Sequence, residues 1–485
     1  MRKPTFALVA LAAAAAISGC SFIPKYERPA APVEQAFPPA PAIDGAAPRL
    51  PDGAVAADLP YQRFFTDERL ARLVGIGLSG NRDLRATALA IEQARAQFRI
   101  TRAAQFPAVG LAANATRAPN PVTGDLYNTY QLGLAVTSWE LDFFGRLQSL
   151  KEQALSTYLA SEEGRRAAQT SLIAGIANAW LALQADEELL DISRRTVATR
   201  EDSVRLTRMR LENGVSSALD ARQAESLAES ARATLAQAQR QRALDENSLV
   251  LLLGQPLPAD IRSSLAGNRL ADVAPFPVLQ AGLPSDLLTR RPDIRQSEQQ
   301  LIAANANIGA ARAAFFPRIS LTAQAGFASS ELSDLFKNSA FSFAPSLLLP
   351  IFDAGRNQAG LDSARAGREI AVAQYEKAIQ TAFREVADAL AGEATLAEQL
   401  RALQAQAQAE SGRFELSDLR YRNGVSTYLD LLDAQRSLFA AQQAVVQTRL
   451  AQRQNQVALY RALGGGWTAA DEVAANNAGG TASPR

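Results

Sequence analysis

One segment of this chain is written twice, and the fixed distance between the copies limits what the chain can fold into. RLENGVSSALDARQAESL (Arg210 to Leu227) recurs as RYRNGVSTYLDLLDAQRSL (Arg420 to Leu438), with Asn213-Gly214-Val215-Ser216 matching Asn423-Gly424-Val425-Ser426 at an offset of 210 residues. The same offset pairs Asp83 and Arg85 with Asp293 and Arg295, and Phe106-Pro107 with Phe316-Pro317. It also pairs Gly145-Arg146 with Gly355-Arg356, and Gly254 with Gly464. Residues 81–254 and 291–464 are therefore two copies of one structural unit, and the function must suit an internal twofold repeat.

Composition removes most chemistry. Fifty Lys and Arg nearly balance 49 Asp and Glu, so no basic field recruits nucleic acid. There is no histidine, and the single cysteine is Cys20. Ser-His-Asp, Cys-His and His- or Cys-based metal sites are all excluded together. No Walker A or GxGxxG segment lies between a strand and a helix. Only carboxylate, lysine or tyrosine chemistry could remain, and the expectation is a chain with no catalytic residue, no metal and no cofactor.

The cysteine has its own context. Arg2 and Lys3 precede an apolar run, Phe6 to Ile17, which ends at Ile17-Ser18-Gly19-Cys20. That pattern is a lipoprotein signal over 1–19, with lipidation at Cys20. A membrane anchor helix is the competing reading, but the run is shorter than the roughly 20 residues a bilayer needs. Residues 20–60 are rich in Pro and Ala and read as a lipidated, extended tether.

From Phe64 the apolar residues recur at helical spacing, giving a helix over Asp67 to Gln105 and its equivalent over Ser285 to Ala314. Pro107 and Pro317 stop them. The period then drops to 2: Val109, Leu111, Ala113 and Ala115 alternate with small or polar residues, as do Tyr130, Leu132, Leu134 and Val136. The second copy repeats the pattern with Ile319, Leu321, Ala323, Ala325 and Phe327, then Phe341, Phe343, Leu347, Leu349 and Ile351. The hairpins, 107–141 and 317–351, fit a half-buried soluble sheet or an outer-membrane sheet. Their length and the aromatics Phe106, Trp139, Phe143, Phe144, Phe315, Phe316 and Phe352 near one boundary favour the membrane. Four strands cannot close alone, and eight would leave no duct, so the barrel needs at least three chains and twelve strands.

Long proline-free helices follow, Arg146 to Leu211 and Arg356 to Tyr421, each about 100 Å at 1.5 Å per residue. Each NGVS turns the chain at a hairpin tip, with Gly in the left-handed region and Ser216 or Ser426 capping the next helix. The returning helices span about Ala218 to Leu253 and Tyr428 to Leu463. The expected division is a first repeat at 61–254, a connection at 255–284, a second repeat at 285–464 and a tail at 465–485.

LLDAQRSLF (Leu431 to Phe439), YRALGGGW (Tyr460 to Trp467), PSDLLTRRPDIRQSEQQLIAANANIGAARAAFFP (Pro284 to Pro317) and the ISGC box together resemble the outer-membrane factors of the TolC, OprM and NodT type, closest to the OprM-type efflux lipoproteins. The resemblance runs from about Tyr61 to Trp467, departing at Tyr61, where the family often has tryptophan, and at Glu68, where it often has proline. It implies a mainly α homotrimer, with a twelve-stranded outer-membrane β-barrel continued by a twelve-helix periplasmic tunnel. The implied function is the exit duct for drugs or small solutes, partnered by a periplasmic adaptor and an inner-membrane pump of the proton-driven multidrug type. Ducts for type I protein secretion or for metal efflux belong to the same family. A lipid-anchored periplasmic coiled-coil scaffold is the reading from a different class, and it does not need the two hairpins.

A duct is read through the residues that close it. Asp430 and Asp433 share a helix face, and the first copy has Asp220 and Gln223 in their places. The resemblance implies carboxylate rings at these two positions and a closing link at Tyr421. The other reading makes both acids solvated residues at a helix start, favoured by the dipole. Ser426 stands where the TolC branch has its latch arginine, so that latch does not carry over. Gly214, Val215, Gly424 and Val425 are candidate adaptor contacts, and they are also simple turn residues.

Overall fold

The computed structural model describes residues 21–37, 56, 59–119, 121–265, 267, 269–274, 276–277, 279 and 284–467. Cys20, most of the 20–60 segment and most of the 465–485 tail lie outside them. The elements run α1 (Tyr61–Phe64), α2 (Glu68–Gly80), α3 (Arg82–Ala103), β1 (Val109–Pro119), β2 (Leu126–Leu141), α4 (Arg146–Glu212) and α5 (Ala218–Leu253). Then come α6 (Ala259–Ser264), α7 (Pro284–Arg290), α8 (Pro292–Ala313), β3 (Arg318–Ser329), β4 (Ser339–Leu348), α9 (Arg356–Arg422) and α10 (Tyr428–Ala462). The duplication is visible in the starts of α3 and α8, α4 and α9, and α5 and α10, each pair 210 residues apart.

One compact unit comprises Met1–Ala31, Ala88–Gly164 and Arg295–Ala378. Its four strands form one antiparallel sheet in the order β1-β2-β3-β4. The register places Leu111 opposite Leu134, Leu132 opposite Phe327, and Ala323 opposite Phe343. The apolar residues of all four strands thus share one face, as the alternation predicts. That face is bare: Leu111 is 75% exposed and Phe341 86%. Among the described residues no helix is long and apolar enough to cross a membrane. β4 ends at Leu348, before the expected Ile351, and Pro350, which has no N–H to give a ladder, lies just beyond its end.

The other face carries small and polar residues, among them the directly opposed Gly133 and Gly326. A Cβ on Gly133 would stand 2.5 Å from the Ala325 carbonyl oxygen and 2.8 Å from the Gly326 Cα, so no side chain fits. Next to this pair the register shifts between Val136 and Trp139, and Ser138 takes a positive φ of 51°. This is the bulge that increases local twist.

Residues 21–31 belong to this unit as an extended segment held along α8. They have no helix or strand, yet they follow α8 closely. Arg312 donates to the Phe22 carbonyl (3.2 Å) and Asn305 to that of Pro24 (2.8 Å). Arg28 grips Glu298 with two bonds of 2.7 and 2.9 Å, and the Tyr26 hydroxyl donates to the same carboxylate. Phe22 stacks on Phe316 at 4.6 Å, and Phe316 stacks on Phe144 at 5.0 Å. An extended backbone that cannot pair with itself gives its carbonyls to side chains of the helix.

The second unit comprises Pro32–Thr87, Arg165–Ile294 and Ile379–Arg485. Phe64 stacks on Tyr460 at 4.1 Å, Phe65 and Phe276 meet Phe64 at their edges or tilted, and Trp180 donates its indole N–H to Asp67 at 3.1 Å. The sequence suggests one continuous helix in each copy, over Asp67 to Gln105 and Ser285 to Ala314. The structure breaks each in two, at Asn81 and at Arg291. Asn81 is extended and caps α3 by accepting the Leu84 N–H, while its amide donates to the Leu252 carbonyl. Arg291 precedes Pro292, which disfavours helix before it. Arg291 is 5% exposed, and its guanidinium donates to the Ala462 carbonyl and pairs with Asp293 and Glu385. Different side chains make the same connection at equivalent places, from the break to the end of the returning helix.

Candidate functional site: the paired helical tips

Both hairpin tips lie in the second unit and are built alike. Gly214 (φ 74°) and Gly424 (φ 72°) follow the long helices in the left-handed region. The Val215 N–H bonds the Arg210 carbonyl and the Val425 N–H that of Arg420, both at 2.9 Å. These are Schellman endings, in which glycine avoids the Cβ penalty.

The caps of the returning helices differ from expectation. Ser217 and Thr427, not Ser216 and Ser426, are the N-cap residues. Asp220 and Asp430 sit three residues later and return a carboxylate to the cap N–H, completing a capping box at each tip. The Ser426 hydroxyl is buried with no hydrogen-bond partner. The box requires an acid at the third helical position, and that spacing selects 217 and 427.

Asp430 is therefore occupied in the same way as Asp220. Asp433 is not: it pairs with Arg413 of α9, with 61% of its side chain exposed. That bond raises the Arg413 pKa. The two acids share a helix face but serve different partners.

Tyr421 is 4% exposed and packs in a cluster with Ala224, Leu227, Tyr428, Leu431 and Leu432. Its ring lies 5.5 Å from that of Tyr428, and both hydroxyls are buried without hydrogen-bond partners. Burial, with Tyr421 adding to it, pushes the Tyr428 phenol up to about 12. The Tyr421 hydroxyl makes no hydrogen bond to Asp430 or Asp433. The partner of Tyr421 is Arg210 of the first hairpin, whose guanidinium lies 4.8 Å from the Tyr421 ring centroid and donates to the Tyr421 carbonyl at 3.0 Å. Arg210 thus ties the first hairpin to the second near the tips. Beyond it the tips present apolar surface: Val215 is 64% exposed, Val425 67%, Leu219 66% and Leu429 62%.

Arg210, Arg413 and Tyr428 are not marked as site residues by the tip motifs. A signal existed for two of them. Tyr421, Tyr428, Asp433 and Arg413 have Leu211, Ala218, Gln223 and Ser203 as first-copy counterparts, so the special chemistry collects where the copies differ. Arg210 aligns with Arg420 and carries no such mark.

This architecture has close counterparts. The antibiotic efflux pump outer membrane protein ArpC of Pseudomonas putida is 47% identical over 474 residues, with 96% of each chain covered. The toluene efflux pump outer membrane protein TtgC of the same species matches to the same extent. The open state of the MtrE outer membrane channel of Neisseria gonorrhoeae superposes with a TM-score of 0.81 at 39% identity, covering 92% of this chain and 98% of that one. The family model described as outer membrane efflux protein matches twice, at residues 73–255 and 283–465, again 210 residues apart. The chain thus belongs to the outer membrane efflux protein family, whose members are passive outer-membrane exit ducts of tripartite efflux pumps.

Proposed function

We propose that three copies of this chain join their sheets edge to edge into a twelve-stranded barrel and conduct antibiotics or small apolar solutes out of the cell. The observation that carries this is the sheet. One face is apolar and exposed, and β1 and β4 stand at its two edges. Unpaired edges are not tolerated in lipid, so closure must come from further copies. The family forms trimers that work with a periplasmic adaptor and an inner-membrane pump, which agrees with this count. The names of ArpC and TtgC, an antibiotic and a toluene efflux protein, support the solute class, and the inner-membrane pump of this reading is of the proton-driven multidrug type. Native mass spectrometry of the detergent-purified protein should give a trimer. A folded monomer with full strand content would overturn the reading.

The tips supply the gate and the adaptor contact. Exposed Val215 and Val425, held out by the turns at Gly214 and Gly424, form the apolar surface an adaptor meets. Arg210 holding Tyr421 restrains the second hairpin, and Asp433 offers a carboxylate to each opening step through its exchangeable pair with Arg413. Asp430 serves first as a cap. Residues 61–254 and 285–464 act as the two repeats of each protomer, joined by 255–284.

The anchor is Cys20, diacylated after removal of 1–19. The grip of α8 on residues 22–28 supports this, because it brings the chain just after Cys20 to the aromatic residues Phe144 and Phe316. Metabolic labelling with a radioactive fatty acid should mark the parent and not Cys20→Ser. Equal labelling of the two would remove the assignment.

A further inference from the structure

Away from the tips, α4, α9 and α10 enclose a pocket of about 110 Å³ in the second unit. Its lining divides by chemistry. Phe414, Leu438 and Phe439 give an apolar wall, and Arg195 and Arg200 give two guanidinium groups, that of Arg195 paired with Asp191 at 3.0 Å, while no carboxylate lines the pocket itself.

Arg200 is the unusual member. It is 4% exposed, its Nη1 donates to the Leu227 carbonyl at 3.2 Å, and its guanidinium sits 5.2 Å from the Phe439 ring centroid. Its Nε is buried with no hydrogen-bond partner, and among the described residues no carboxylate pairs with it. Arg291, the other arginine as deeply buried among the described residues, has both Asp293 and Glu385. A buried cation without a counter-charge is costly, and charge-assisted bonds to an anion are what offset that cost. Burial, with Arg436 nearby, lowers the Arg200 pKa, the sign expected of a cation that lacks an anion. Gln435, also in the lining, keeps a buried side-chain oxygen without a partner while its amide donates to Ser203. Thr199 uses its hydroxyl proton on the Arg195 carbonyl. The polar side of the pocket thus holds one cation without a counter-charge, Arg200, and the opposite side is aromatic and aliphatic.

We propose that this pocket binds a small organic carboxylate, its anionic end on the Arg200 guanidinium and its apolar part against Phe414, Leu438 and Phe439. The chemical class follows from the division of the lining: an inorganic anion leaves the apolar wall wet, and a neutral hydrocarbon leaves the cation unpaired. A water needs about 30 Å³ in the liquid, so the volume suits several waters or one ligand of benzoate size. Because Phe414 also packs against the tip cluster of Tyr421 and Tyr428, an occupant braces α9 where it approaches the tip. Binding does not depend on the duct reading and can be tested without transport.

The test is calorimetric titration of benzoate into the assembled, detergent-purified protein, with benzyl alcohol (ring without charge) and chloride (charge without ring) as separate arms. Benzoate should bind saturably and raise the melting temperature, and each control should bind at least about tenfold more weakly, which is roughly 1.4 kcal/mol. Arg200→Gln should lose benzoate binding by a similar factor without losing assembly, since it removes an unpaired buried cation. Arg200→Lys should recover part of it. A crystal of the parent with 4-bromobenzoate should place the bromine anomalous peak in the pocket, a readout that needs no variant. Equal benzoate binding in parent and Arg200→Gln, binding of benzyl alcohol as tight as benzoate, or a pocket without bromine would overturn the proposal.

Discussion

Gly326→Val should leave the chain unable to form a stable barrel. Gly326 lies directly opposite Gly133, and a Cβ placed on it would overlap the Leu132 carbonyl oxygen and the Gly133 Cα. Backbone atoms cannot turn aside as a flexible side chain can, so the strands would have to separate. Overpacking typically costs about 1–3 kcal/mol even where side chains can adjust. Here the cost falls on the β2–β3 pairing, and in a trimer it falls three times. The expected result is loss of heat-resistant trimer from the outer-membrane fraction, with Gly133→Ala intermediate. Trimer of parental stability in Gly326→Val would show that the strands do not approach so closely.

These two glycines show why the sheet was only partly legible in the sequence. The alternation of Leu132, Leu134 and Val136 with Gln131, Gly133 and Ala135 identified strand and face, because a period of 2 is a direct consequence of the pleat. Which strands become neighbours is a matter of long-range register. Gly133 and Gly326 are not related by the repeat: the counterpart of Gly133 is Phe343 and that of Gly326 is Thr116. They meet because β2 of the first copy pairs with β3 of the second.

The helical breaks were hidden for a similar reason. Pro292 marks one of them, but Arg82 at the equivalent place does not, and neither Asn81 nor Arg291 shows its carbonyl partner in its own neighbourhood. Leu252 and Ala462 are each 171 residues away along the chain. Local signals did well where local physics decides. The NGVS turns gave the tips because a glycine in the left-handed region ends a helix regardless of tertiary context. The caps were missed by one residue because two adjacent hydroxyl residues compete at each tip, and only the acid three positions on selects between them.

Arg210→Ala should open the tips more readily than replacement of either acid. Tyr421 is held by the Arg210 bond to its carbonyl and by the cation over its ring. A hydrogen bond from a charged donor contributes about 1.5–3 kcal/mol, and a cation–π contact roughly 0.5–2 kcal/mol. Solvent reduces both at a tip, so about 2 kcal/mol per chain is a fair expectation, a factor of roughly 30 in any equilibrium it restrains. In planar bilayers Arg210→Ala should therefore raise conductance and open probability while the trimer stays intact. Asp430→Ala should act differently. It removes a capping box, at a cost of roughly 1 kcal/mol, and should loosen the start of α10 with little effect on ion preference. Asp433→Ala leaves Arg413 with Glu410 as its remaining ion-pair partner and takes one carboxylate per chain from the tips. It should weaken block by multivalent cations, because closely placed carboxylates favour cation binding. If Arg210→Ala conducts like the parent while Asp433→Ala opens the channel, the acid and not the arginine restrains the second hairpin.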